Sequence, residues 1–246
     1  MALRWSRAEE NQKRSDQFWN AITVEDIESL SVAMEMAICL SPKQRRKWNV
    51  KEHAQRWAQL ADKYRTGDRW FLEALGIGAE GNWDRCLETL LSANPDWQQS
   101  QRLREIVWRS RGKDSANLMA DLLHTGKIET QRVANFFRAI DLQTSKISSE
   151  RLKKMAFGKH PTSESDRVVF FETIKRIEPS SLSTDNQEQL DSMLDSYRGT
   201  SRFVELVARF KMEDRYPELF ELVTGCLLYT SPSPRDATLS RMPSSA

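Results

Sequence analysis

The chain has 246 residues, of which 39% are hydrophobic and 29% charged, with a formal net charge of +2. That length suits one large domain or two small ones, and the apolar content is too high for wholesale disorder. The near-neutral balance excludes a strong general pull toward nucleic acid or anionic lipid, and nine Gly with eight Pro are too few for a turn-rich all-β fold.

Residues 1–22 are charged and loosely amphipathic, with Trp5, Phe18 and Trp19 as the large apolar groups, and they lack the apolar core of a signal peptide. Thr23, with Asp26 three residues on, sets up a helix start close to a capping box. Ile27, Leu30, Met34, Ala37 and Ile38 then recur at helical spacing, and Ser41-Pro42 ends the stripe. The basic run Lys43-Gln44-Arg45-Arg46-Lys47-Trp48 follows, a solvated loop on the simpler view. Its sharper alternative is phosphate contact, with Trp48 stacked on a base.

Asn49 caps the next helix, where Val50, Ala54, Trp57, Ala58, Ala61 and Tyr64 share a face. Thr66-Gly67-Asp68 turns into Trp70, Phe71, Ala74 and Leu75; Asn82 opens a helix with Trp83, Cys86, Leu87, Leu90 and Leu91, and Asn94-Pro95 stops it. Shorter stripes follow at Leu103–Val107, Leu118–Leu123, Val133–Ile140 and Leu152–Ala156. The last run through Val169–Ile177, Leu190–Leu194, Phe203–Phe210 and Tyr216–Val223, with Pro217 as a first-turn proline. Val168-Val169-Phe170-Phe171 is the one short run that fits a strand, and its flanks are helical.

The expectation is an all-α chain of about a dozen helices joined by short loops. Helix pairs recur about every 30 to 40 residues, the scale of HEAT-like repeats, which favours antiparallel pairs stacked as an α-solenoid over a closed bundle. All eight tryptophans lie at or before Trp108, so the bulkier core is expected in the N-terminal half. The domain layout is 1–22 as a charged helical or extended segment, 23–225 as the solenoid and 226–246 as a disordered tail. That tail carries Pro232, Pro234 and Pro243 among many serines, and it resembles the sequencing-adaptor read-through of metagenomic gene calls. On that view Gly225 is where the natural sequence was truncated.

Chemistry-bearing patterns are few. Gly76-Ile77-Gly78-Ala79-Glu80-Gly81 is a complete GxGxxG match, but the preceding Arg69–Leu75 reads as helix and no βαβ pattern follows. A helix end with glycines permitting a tight turn is the simpler account. His53, His124 and His160 stand beside no other ligand at metal spacing and are expected at the surface. Cys39, Cys86 and Cys226 form neither a disulfide framework nor a CxxC site; the first two are expected as small buried thiols. Glu150, Glu164, Asp166 and Glu172 are expected at helix starts, where the helix dipole explains them. There is no GxSxG, HExxH, P-loop or kinase set, and no CxxCH for haem attachment. No catalytic, cofactor-binding or metal residue is therefore singled out. No run approaches the roughly 18 apolar residues of a membrane span.

Several phrases carry a resemblance. Asp68-Arg69-Trp70-Phe71-Leu72-Glu73-Ala74-Leu75-Gly76-Ile77-Gly78-Ala79, Ile106-Val107-Trp108-Arg109-Ser110-Arg111, Phe136-Phe137-Arg138-Ala139-Ile140-Asp141 and Asp214-Arg215-Tyr216-Pro217-Glu218-Leu219 resemble the helical-repeat region of PVC-type haem-binding proteins, a group also labelled membrane-bound dehydrogenases. Together they span about residues 60–220. The resemblance implies an exported parent with a sorbosone-dehydrogenase-like β-propeller upstream and a small cytochrome c domain downstream, which would hold the haem c. This chain would then be a non-catalytic scaffold, its partners the other domains of the parent or another protein. The alternative is a HEAT-like nucleic-acid-binding protein or DNA glycosylase, with Trp48, Trp57, Trp70 and Arg69 as the groove candidates; nucleic acid ranks below protein as partner.

Overall fold

Short polar side chains start most of the helices. Ser29 accepts the Val32 amide at 3.5 Å, Asn49 the Lys51 amide at 3.0 Å and Asp68 the Phe71 amide at 3.0 Å. Ser163 and Asp166 make a full capping box, with amide-to-side-chain bonds of 3.0 and 3.1 Å. Each bond satisfies an amide that a helix start leaves without an internal partner. The computed structural model describes Val24, residues 27–41 and residues 49–224, apart from the Val223 side chain. Among these residues there are α-helices and 3-10 turns and no strand.

The chain divides into two compact units, residues 1–147 and 148–246. The first holds α1 (Leu30–Cys39), α2 (Val50–Lys63), α3 (Arg69–Gly78), α4 (Trp83–Ser92), α5 (Gln101–Arg109), α6 (Ser115–His124) and α7 (Thr130–Asp141). The second holds α8 (Ser149–Phe157), α9 (Glu164–Ile174), α10 (Thr184–Leu194), α11 (Ser201–Phe210) and α12 (Tyr216–Thr224).

In the first unit α1 packs on α2 and α3, α2 on α4, α3 on α5, and α5 on α6 and α7. Trp57 is fully buried at the centre, edge-on to Trp83 with ring centroids 5.7 Å apart, and its indole N–H donates to the Leu75 carbonyl at 2.9 Å. Phe71, Leu75, Leu90, Ile106 and Met119 are likewise fully buried in this unit. Where α3 meets α1, a Cβ on Gly78 would overlap the Ala37 carbonyl oxygen, so only glycine allows the two backbones this approach.

In the second unit α8 packs on α9, and the Phe170 ring stacks on Tyr197 at 6.2 Å. The Tyr197 hydroxyl donates to the Arg167 carbonyl at 2.7 Å, and burial pushes its pKa up to about 12. Phe203, Leu206 and Val207 form the inner face of α11. That helix closes through Lys211 in the left-handed region (φ 51°), where glycine is usual, with the Met212 amide donating to the Val207 carbonyl at 3.2 Å. Arg215 then ties the following turn to Asp191 (2.8 Å), Asp195 (3.1 Å) and Glu218 (2.9 Å).

Several sequence expectations change here. Helix α1 starts at Leu30 and buries Ala33, Met36 and Ala37, while Met34 and Ile38 are half-buried. Thr23 and Asp26, residues 1–22, the Lys43–Trp48 run and residues 226–246 lie outside the described residues. Val168–Phe171 is helical, within α9. Val50 and Trp70, assigned to inward faces, point to solvent. Both stand in the first turn of their helices, ahead of the first residue that packs inward.

Candidate functional site

The glycine-rich run separates into two uses of glycine, neither of them a phosphate loop. Gly76 and Gly78 lie inside α3, and Gly81 takes the left-handed turn (φ 79°) after it. Gly81 fits the expected tight turn; the other two serve close packing. Gly78 admits α1, as described, and Gly76 is the seat of a side chain: a Cβ there would stand 2.6 Å from the Arg109 guanidinium carbon. Arg109 lies over that gap and grips Glu73 through Nε and Nη2, both at 2.9 Å. Next to it the Arg111 guanidinium donates to the Arg109 and Ser110 carbonyls at 3.1 and 2.6 Å. Burial, then the neighbouring Arg109 charge, lowers the Arg111 pKa.

That pair sits in the middle of an outward face. Trp70, one turn before Glu73 on α3, is 75% exposed, and Ile77, one turn after it, is 41% exposed. Trp70, the Arg109–Glu73 pair and Ile77 thus form one stripe at helical spacing. Exposed Arg69 adjoins it. Of the aromatic groove candidates, Trp57 is fully buried and Trp48 lies outside the described residues, so Trp70 and Arg69 are the two presented at the surface.

The buried polar groups face inward and are held there. His53, expected at the surface, is 4% exposed. Its Nε2 lies 2.9 Å from the Gly78 carbonyl oxygen and 3.2 Å from that of Leu40. Both are acceptors, which assigns the ring proton to Nε2 and leaves Nδ1 to accept from the Cys86 thiol at 3.7 Å. Burial lowers the His53 pKa against the raising effect of those carbonyls, and burial pushes the Cys86 thiol up, so both groups are neutral. Cys86 is fully buried as expected, whereas Cys39 is half-buried. His124 and His160 are exposed, as the sequence suggested.

Glu105 is the other internal knot, 6% exposed on α5. One oxygen accepts the Tyr64 hydroxyl at 2.6 Å and the Gly67 amide at 3.0 Å; the other faces Arg132 at 3.3 Å. Burial alone would raise its pKa, but those three donors outweigh it and hold the carboxylate below its ordinary range. Nothing in the sequence marked Glu105, because its partners come from the α2–α3 turn and from α7. Ser110 donates to Ser115, which accepts the Gly112 amide, each at 2.7 Å, and Gln143 donates to the Ser110 and Ala139 carbonyls.

Among the described residues no three His, Cys, Asp or Glu side chains stand together at metal-binding distance. Glu150, Glu164 and Asp166 fall in first helical turns as expected, and Asp166 is held at about 2: burial would raise it, but Ser163, Lys159 and Thr162 donate to it. Glu172 instead lies in the last turn of α9, 3.0 Å from Arg176. In the second unit an open groove of about 590 Å³ runs beside Leu190, Phe210 and Met212, with Glu188, Glu213 and Asp214 on its rim. No described helix is long and apolar enough to cross a membrane. In comparisons with known proteins, no family model, curated protein or solved structure matches this chain significantly.

Proposed function

We propose that this chain is a non-catalytic scaffold and interaction module, a HEAT-like α-solenoid from a larger exported haem-binding, dehydrogenase-like protein. The observation that carries the reading is the outward face of α3. An exposed tryptophan, an arginine braced in two places and an aliphatic side chain in line have the composition of an interface hot spot. The brace matters, because a guanidinium already fixed by Glu73 and seated on Gly76 loses little freedom on binding. The buried polar groups support the same reading, since His53, Glu105 and Gln143 all serve to join helices. So does the packing order, in which α1 meets α3, α2 meets α4 and α3 meets α5, as stacked helix pairs do.

In this role the module holds a propeller and a haem domain at a set separation, with α3 as a contact face toward the rest of the parent chain. The purified chain, incubated with haem and with an artificial electron acceptor, is expected to show neither a Soret band nor dye reduction. Substrate-dependent dye reduction by the purified chain overturns the reading. With the parent's remaining domains supplied in trans, Trp70→Ala is expected to weaken association by about 2 kcal/mol in calorimetry.

One observation favours a second reading. Trp70 beside Arg69 is an aromatic-cation pair open to solvent, as single-stranded nucleic acid requires. A gel-shift titration against salt decides: a steep salt slope supports nucleic-acid binding, and no shift near about 50 mM salt removes it.

A further inference from the structure

Three basic side chains from separate places in the first unit converge on a small pocket that the scaffold role does not use. Arg104 comes from α5, Lys127 from the loop before α7 and Arg132 from the first turn of α7. Gln101 joins them at the wall, and the buried Phe136 and Ile128 are apolar liners. The enclosed space is about 20 Å³, room for one water-sized group.

The charges around it do not balance locally. Arg132 is matched by buried Glu105. Arg104 instead rests on two neutral acceptors, the carbonyl oxygens of Gln98 at 3.0 Å and Gln99 at 3.1 Å. Lys127 donates to the side-chain oxygen of Gln99. Neither Arg104 nor Lys127 has a carboxylate partner among the described residues. The remaining liner, Glu129, is exposed and accepts from the Gln131 side chain at 3.1 Å. As N-cap of α7 it makes no side-chain capping bond, and its charge stands against the positive end of that helix.

The site is also built in advance. The Tyr64 hydroxyl and Gly67 amide fix Glu105, which fixes Arg132; the turn carbonyls at 98 and 99 fix Arg104. We propose that this pocket is an oxyanion site for a phosphoryl group, one oxygen entering among Arg104, Lys127 and Arg132 while the rest stays at the mouth. Arg104 and Lys127, neither paired to a carboxylate, outnumber the one exposed carboxylate at the wall, Glu129, and guanidinium groups suit phosphate oxygens. The source is either free phosphate or a phosphorylated side chain, and the chemistry is shared.

The test is a titration of the full chain with inorganic phosphate at constant ionic strength set by sodium chloride, followed by amide NMR shifts. Saturable shifts over residues 127–132 are expected. The double variant Arg104→Gln/Lys127→Gln leaves the Glu105–Arg132 pair in place and should weaken the response at least about tenfold. Single Lys127→Gln, at an exposed loop position, serves if the double variant melts early, and should weaken it less. Shifts that chloride reproduces, or that persist unchanged in the variants, overturn the proposal. A short phosphoserine peptide then separates the sources. Tighter binding than free phosphate assigns a phosphorylated chain, and equal binding a small anion. Equal binding of the unphosphorylated peptide overturns the site. None of these outcomes depends on whether the chain acts as a scaffold, which the dye and haem assays read separately.

Discussion

Trp57, His53 and Gln143 in the first unit each send a polar atom inward to a backbone carbonyl, whereas Arg215 in the second unit is held by carboxylates of which Asp191 and Asp195 are open to water. The two arrangements fail differently. A buried donor or acceptor that loses its partner costs about 1–3 kcal/mol, because no water replaces it. An ion pair at the surface contributes about 0–1 kcal/mol and is screened by salt. The buried contacts of Trp57, His53 and Gln143 are therefore brittle to single deletions and indifferent to salt; the Arg215 cluster tolerates deletion and responds to salt. For Arg215 the carboxylates of Asp191 and then Glu218 raise its pKa, so the cation persists at any ordinary pH.

The comparison is tested hardest at Trp57. Trp57→Ala removes the central ring and its bond to Leu75, and is expected to cost about 4 kcal/mol in denaturant unfolding of the first unit. Glu105→Ala should cost about 3 kcal/mol, since it strands the Tyr64 hydroxyl and the Arg132 charge together. A smaller effect follows from pH. The His53 pKa is depressed in the fold, so the unfolded chain takes up its proton first, and stability falls as pH drops below the ordinary value of 6.5. Glu105, also depressed, loses its contribution only at lower pH, as the carboxylate protonates below its ordinary 4.5. Thermal melts from pH 8 downward should show the His53 loss, and His53→Gln should flatten that part of the profile. Arg215→Met should show the least change: about 1 kcal/mol at low salt, vanishing near about 1 M sodium chloride, read by hydrogen exchange in α12. An Arg215 effect as large as that of Trp57, or one immune to salt, breaks the contrast.

How much of this was legible in the sequence depends on how local each feature is. Asn49 as a cap, the turn at Gly67 and the inward stripes from Ala54 to Tyr64 and from Val133 to Ile140 need only neighbours in the chain, and they stand where the spacing put them. The faces of α1 and the exposure of Trp70 depend on which helix arrives opposite, and periodicity carries no such information. His53 looked like a surface histidine because its partners, the carbonyls at 40 and 78 and the thiol at 86, come from three other elements. The basic pocket escaped for the same reason, with Arg104, Lys127 and Arg132 dispersed over two helices and a loop. The glycine pattern misleads in the opposite sense: its letters suggest a nucleotide, and its surroundings show a helix crossing and a seat for Arg109.

The Cys86 thiol has a practical use that follows from its place between α2 and α4. A disulfide reagent reaches a thiol only as thiolate and only where it can approach, and this one is sealed, neutral and turned toward an imidazole nitrogen. Its labelling rate therefore counts how often the first unit opens, like a stopwatch built into the chain. Half-buried Cys39 supplies the reference for the closed form, and a rise in the ratio of the two rates on acidification would time the loosening at His53 directly.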